Sequence, residues 1–281
     1  MRWVRCHHAA EFVAKAADFL ERNEAENNLM LGLALAITAD PDYTALPPFM
    51  SVAQHGRTTA AAVFQAPPRP LIVTRLARGD LSVLVQHLRK EKVKLSGLVG
   101  PIETAAALAE LWTEATGAPY VVEMRQRIYQ LTKVLAKPEA PGRLRPAEPR
   151  EIDYLIEWFI DFDRAAGGRR DSNTAEQLVR KHVGRGALFV WENGEPVSMA
   201  AFAGPTPHGV RVNLVYTPPA QRCRGYASAT VATLSQRLLD SGRRFCFLYT
   251  DAASPTPNRI YQRIGYTPVC DSVAILFGET S

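Results

Sequence analysis

The stretch from Val210 to Leu239, VRVNLVYTPPAQRCRGYASATVATLSQRLL, constrains the fold more than any other part of the chain. An apolar run comes first, then a turn marked by Pro218 and Pro219, then a segment whose apolar residues recur at helical spacing. The turn-to-helix junction reads Arg222-Cys223-Arg224-Gly225-Tyr226-Ala227. A helix start leaves backbone N–H groups unpaired and presents the positive end of the dipole, so it attracts an anion. Gly225 and Ala227 keep bulk away from an approaching phosphate, and Arg222 and Arg224 add charge. The same residues would also serve a plain basic strand-to-helix joint. No Gly-Lys-Ser/Thr follows, which excludes a Walker loop. A dinucleotide fold needs another glycine spacing and an acid at the end of a following strand, whereas Asp240 falls at the helix end.

The R-x-x-G-x-A pattern after a strand resembles motif A of the GNAT acyltransferase superfamily, Q/R-x-x-G-x-G/A, with Arg222, Gly225 and Ala227 at the matching positions. A second family element, N…Y-x-x-x-G-[FY], is matched by Asn258, Tyr261, Gly265 and Tyr266. The resemblance covers residues 142–277. It implies acetyl-CoA as co-substrate, with the pyrophosphate held by Arg222, Cys223, Arg224, Gly225, Tyr226, Ala227 and Ser228. It implies that backbone N–H groups of Leu214, Val215 and Tyr216 polarise the thioester carbonyl, on a strand that splays from the one at 245–250. Asn258 would contact coenzyme A, and Tyr261 would protonate the leaving thiolate. Many relatives carry a Glu in or near the strand matching 210–216 as the base for the amine. Here that strand has no carboxylate, which leaves Asp251, His208 or water for the task.

The rest of the chain fits two domains, 1–137 and 138–281, divided in a stretch containing Pro138, Pro141, Gly142 and Pro146. Before it, the pattern predicts two helices over 9–37, a hairpin of 49–53 and 60–65 around His55-Gly56-Arg57, and a strand at 71–76. A helix from Asp80, a strand at 95–99, a helix over 101–116 ended by Gly117 and a strand over 120–134 follow. After it come a short strand at 144–146, helices over 148–166 and 172–184, and a hairpin of 187–191 and 196–203 around Asn193-Gly194. Gly167-Gly168 should end the first of these helices. The strand at 210–216, its helix, a strand at 245–250, a helix at 257–264 and two short strands or a hairpin over 266–277 complete it. The two halves share one order of elements. The fold class expected is therefore α/β (α+β), two GNAT-like domains, each a mixed, mostly antiparallel twisted sheet flanked by helices. The first half reads Arg75-Leu76-Ala77-Arg78-Gly79-Asp80 at the junction equivalent to 222–227. It lacks the motif, and Asp80 would repel a phosphate, so this half keeps the fold without the cofactor site.

Composition narrows the partners. The chain has 281 residues, 47% apolar and 22% charged, which fits a globular protein. There are 16 basic and 13 acidic residues before position 139 and 17 and 15 after it, so no basic arm for nucleic acid stands out. Cys6, Cys223, Cys246 and Cys270 are scattered, which points to free thiols in the cytoplasm and no metal site. Cys6, His7 and His8 read as surface residues. The apolar run Leu29–Ala39 is too short for a membrane span. The function expected is N-acetyl transfer by direct attack of a primary amine, on a small molecule or a peptide. A non-catalytic acyl-CoA-binding module is the alternative; aminoacyl transfer from tRNA would need a basic stripe that the charge pattern lacks.

Overall fold

The computed structural model describes residues 1–136, 138–165, 168 and 171–278. Lys137, at the expected boundary, and Gly167, the expected helix stop, lie outside the described residues. The chain forms two units: one takes Met1–Ile128, Asp251–Ala253 and the segment from Val269, the other Tyr129–Thr250 and Ser254–Pro268.

The first unit opens on strand β1 (Arg2–Cys6), followed by helices α1 (Ala9–Glu21) and α2 (Glu24–Ala39). Strand β1 carries no sequence signal of its own. It pairs antiparallel with β2 (Phe49–His55), and this pairing buries Cys6 completely. The surface reading of Cys6 is therefore corrected, while His7 and His8 are exposed. His8 caps α1, its Nδ1 accepting from the Glu11 N–H. Burial pushes the Cys6 thiol up to about 11. Then come β3 (Thr58–Gln65), β4 (Leu71–Val73), α3 (Arg78–Lys90), β5 (Gly97–Pro101), α4 (Ile102–Thr116) and β6 (Tyr120–Leu131). The last strand, β12 (Thr267–Phe277), is one continuous strand rather than two strands or a hairpin, and from Ser272 to Leu276 it pairs antiparallel with β5. Val273 and Ile275 thereby join the core beneath α3 and α4 with Leu84, Leu98 and Leu108.

The second unit repeats the order. It comprises β7 (Arg143–Pro146), α5 (Ile152–Ala165), α6 (Ser172–Gly184), β8 (Leu188–Asn193), β9 (Glu195–Ala203), β10 (Gly209–Tyr216), α7 (Tyr226–Asp240), β11 (Phe245–Asp251) and α8 (Pro255–Ile264). Strand order is β11-β10-β9-β8-β7, antiparallel except for the parallel pair β10–β11. In the first unit the parallel pair is β4–β5. Helices cover both faces. Val231, Leu234 and Leu238 of α7 pack on Val210, Val212 and Cys246. Leu155 and Phe159 of α5 and Val179 of α6 pack on Val190, Met199 and Leu214 on the other side. Each such side chain contributes about 1.5–3 kcal/mol on burial, so the helical spacing of these residues is what fixes both layers.

At the start of α5 the ionic core is built locally. Glu148 and Glu151 form a reciprocal capping box. Arg145 binds both oxygens of Glu151, at 2.6 and 2.8 Å, and reaches Glu192 at 2.7 Å. Burial acts to raise the Glu151 pKa, but Arg145 and the Glu148 N–H outweigh it and hold the carboxyl down at about 2.

Candidate active site

The candidate site lies where β10 stops behaving as a regular strand. Its parallel pairing with β11 runs only from Gly209↔Phe245 to Arg211↔Phe247. On its other edge the register with β9 passes from Asn213↔Ala201 to Tyr216↔Met199, three steps against two. The extra residue is a β-bulge, and Leu214 sits there with φ +50°. The bulge changes which face the side chains take. Val210 and Val212 pack toward α7, whereas Leu214 and Tyr216 pack toward α5 and α6. A branched residue with positive φ costs on the order of 1–3 kcal/mol. Here that strain falls just beyond the end of the register with β11, at Leu214.

The turn after β10 continues the irregularity. Cys223 has φ +62° and Gly225, the N-cap of α7, has φ +81°. No side chain caps this helix, and residues 222–225 are exposed. Gly225 has only Glu139 O and Ala140 Cβ near its Cβ direction, at 3.6 and 3.9 Å. Arg222 Nε donates to Thr217 O at 3.1 Å, and Arg224 to Gln221 Oε1 at 3.1 Å, which tethers both guanidinium groups beside the helix start. An uncapped helix terminus flanked by two arginines and entered through a left-handed glycine fits a pyrophosphate. Tyr226 differs from its loop neighbours: its side chain is buried and accepts from Asn193 Nδ2 at 2.9 Å, so only its backbone is left for a ligand. Ala227 and Ser228 lie half-buried in the first turn of α7. The equivalent junction of the first unit has no left-handed glycine. There Ala77 precedes α3, Asp80 lies in its first turn, and Arg75 is bound to Glu26 at 2.9 Å.

Helix α8 supplies the second element. Gly265 ends it with φ +118°, and a Cβ there would stand 2.7 Å from Lys133 O, so glycine is required. Tyr261 is half-buried, edge-on to Tyr266 at 6.1 Å between ring centroids. Burial pushes the Tyr261 hydroxyl up to about 12, so it keeps its proton at neutral pH. Asn258 is engaged within the fold: Oδ1 accepts from Tyr129 OH at 2.9 Å and Nδ2 donates to Ser254 O at 2.6 Å. It anchors the first turn of α8, beneath Tyr261.

Of the two side chains considered as the base, Asp251 caps its own turn, its Oδ1 accepting from the Ala253 N–H at 2.8 Å. His208 lies just before β10, seven residues from Val215, about 23 Å along a strand. Its ring packs edge-on against Phe245. The face of β10 toward α5 and α6 carries groups not singled out by any motif. Tyr216 donates to Asp161 Oδ2 at 3.0 Å and packs against Trp158, which packs against Tyr154. Burial and the Asp161 bond raise the Tyr216 pKa while Arg222 opposes them, so the phenol stays neutral and links α5 to the loop. Periodicity alone marks residues 154–161 only as a helix face, because which strand end a helix meets is a tertiary matter. No group of three or more His, Cys, Asp or Glu side chains that could hold a metal ion occurs among the described residues. Nor is any helix among them long and apolar enough to cross a membrane.

Comparison with known proteins agrees with this architecture. The model of the acetyltransferase (GNAT) family matches residues 152–266. A GCN5-related N-acetyltransferase from Sphaerobacter thermophilus superposes with a TM-score of 0.64 at 18% identity, over 97% of this chain and 94% of that one. A GNAT-family acetyltransferase from Colwellia psychrerythraea does so with 0.59 at 10% identity over 99% of both chains. A tandem GNAT protein from the clavulanic acid biosynthesis pathway gives 0.56 at 14% identity, over 100% and 98%. No curated protein matches the sequence. Residues 152–266 thus match the acetyltransferase (GNAT) family model, in a chain that shares the fold of these GNAT structures along its whole length.

Proposed function

We propose that the second unit transfers an acetyl group from acetyl-CoA to a primary amine of a small molecule or peptide, by direct attack. The observation that carries this reading is the pairing of a strand bulge at Leu214 with an uncapped, arginine-flanked helix start at Gly225, further on along one strand–turn–helix. In this reading the α7 terminus, with the backbone of Cys223 to Ser228 and the guanidinium groups of Arg222 and Arg224, holds the pyrophosphate. Backbone N–H groups of Leu214 to Tyr216 face the thioester carbonyl. A donor aimed at a developing oxyanion lowers the barrier by about 3 kcal/mol. Tyr261 gives its proton to the sulfur, and Asn258 fixes the helix that carries it. The amine approaches from the side of α5 and α6, where Tyr154, Trp158, Asp161 and Tyr216 offer aromatic faces and a carboxylate to a cation. Coenzyme A binds once per chain, since the junction at 75–80 has an acid where the second unit has Gly225-Tyr226-Ala227. Four free cysteines accord with a reducing, cytoplasmic setting.

The lack of a carboxylate on β10 favours a second reading, a non-catalytic acyl-CoA-binding module. Calorimetry with coenzyme A, followed by thiol release from acetyl-CoA across a panel of amines, separates the two. One-to-one binding with release supports transfer. Binding without release on any amine supports the module, and no binding refutes both.

A further inference from the structure

We propose that the segment 138–142 is the subsite for the adenosine end of coenzyme A, with Glu139 accepting a hydrogen bond from the exocyclic amino group of the adenine. The inference rests on the assignment of the pyrophosphate to the α7 terminus, and it names residues that neither motif contains.

The segment borders the loop directly. Glu139 O and Ala140 Cβ are the atoms nearest to the Cβ direction of Gly225, at 3.6 and 3.9 Å. Pro138, Glu139, Ala140 and Pro141 line an open cleft of about 520 Å³, within the size range of small-molecule sites. Glu139 and Pro141 are exposed, and Pro138 and Ala140 are half-buried, so the cleft is reached from solvent.

The segment is also held in shape. Trp191 Nε1 donates to Pro141 O at 2.9 Å. Ala140 and Leu144 pack on a cluster of Trp191, Val197, Tyr226 and Ala229. Gly142 has φ +109°, and a Cβ there would collide with Glu192 O. The rings of Pro138 and Pro141 fix two further φ angles. A surface segment anchored in this way loses little conformational entropy when a ligand arrives. Tyr226 belongs both to this cluster and to the first turn of α7, so the segment and the loop rest on one support.

Its position selects one end of the cofactor. In the acyl-transfer reading the pantetheine arm runs from Gly225 to the backbone of Leu214 to Tyr216 on β10. Trp191 and Glu192 belong to β8, two strands from β10 in the sheet. The arm and the segment therefore meet the loop from different strands, and the end left for the segment is the adenosine. The side chains narrow this further. A carboxylate beside phosphates is repelled unless it accepts a hydrogen bond. The adenine amino group is such a donor, and a bond to a carboxylate is stronger than one between neutral groups. The flat faces of the base match the apolar rings of Pro138 and Pro141 and the methyl group of Ala140.

Calorimetry on the full chain tests the assignment. The probes are coenzyme A, adenosine 3′,5′-bisphosphate, 4′-phosphopantetheine and a coenzyme A analogue whose base is hypoxanthine. Glu139→Ala should weaken coenzyme A and the bisphosphate about ten-fold and leave 4′-phosphopantetheine unchanged. The wild type should bind the hypoxanthine analogue about ten-fold more weakly than coenzyme A, and the variant should not tell the two apart. Glu139 is exposed, so the variant should keep the fold, which circular dichroism checks. Photolabelling with 8-azidoadenosine coenzyme A, read by peptide mass spectrometry, should mark residues 138–142. Unchanged affinities in Glu139→Ala, an equal loss of 4′-phosphopantetheine, or label confined to other residues overturns the subsite while the pyrophosphate assignment stands. A wild-type chain that binds neither coenzyme A nor 4′-phosphopantetheine overturns that assignment, and this inference with it.

Discussion

Arg211 and Phe247 form the last registered pair between β10 and β11, three residues before Leu214 turns to positive φ. Pairing ends and the strand bulges within a single turn of sequence. The backbone N–H groups just beyond that departure are those proposed to face the thioester carbonyl.

The Tyr261→Phe variant keeps the ring that packs on Tyr266 and removes only the hydroxyl. With the hydroxyl held up at about 12, the phenol is protonated across the working range and can serve as an acid. Loss of the hydroxyl should lower kcat by about 10²–10⁴-fold with little change in coenzyme A affinity. An unchanged kcat where chemistry limits the rate would leave Tyr261 as a packing residue.

Gly225→Glu should abolish coenzyme A binding. The residue sits at φ +81°, where a side chain is strained, and a carboxylate would meet the pyrophosphate at the helix terminus. Calorimetry on the full chain should find one site in the wild type and none in the variant. Circular dichroism should show the fold retained. Wild-type affinity in the folded variant would show that this loop does not hold the pyrophosphate.

Glu151 makes acid stability depend on one ion pair. Its folded pKa is depressed from 4.5 to about 2. The stability it contributes is present above pH 4.5 and is lost as pH falls toward 2. Glu151→Gln should flatten that part of the stability profile in denaturant titrations. At neutral pH, Arg145→Ala should destabilise by about 3–5 kcal/mol, because Glu151 is left buried and charged.

Truncation after Pro268 should unfold the first unit rather than the second. Residues 272–276 form the antiparallel partner of β5, and Val273 and Ile275 belong to the core of the first unit. Hydrogen exchange should show protection lost at 97–101 and kept at 188–203. The opposite pattern would contradict the strand assignment.

Much of the fold and of the site is legible in short stretches of sequence, for a physical reason. Helix periodicity, the Asn193-Gly194 turn and R-x-x-G-x-A are local signals, set by residues within one or two turns of each other. They suffice to place α5, α6, the β8–β9 hairpin, α7 and the loop that begins at Arg222. Relations between distant residues leave no such local mark. Cys6 is buried because β1 pairs with β2, more than forty residues away. Residues 267–277 form one strand because β5, at 97–101, offers them a partner. Asn258 is occupied because Tyr129 reaches it from β6. The bulge at Leu214 needs β9 beside it, and Tyr216 reaches Asp161 only because α5 packs on β10. The sequence by itself determined the local elements and the turn proposed to hold an anion. The tertiary structure alone decided which strand pairs with which, and hence where β10 leaves its register, because such pairing joins residues far apart in the chain.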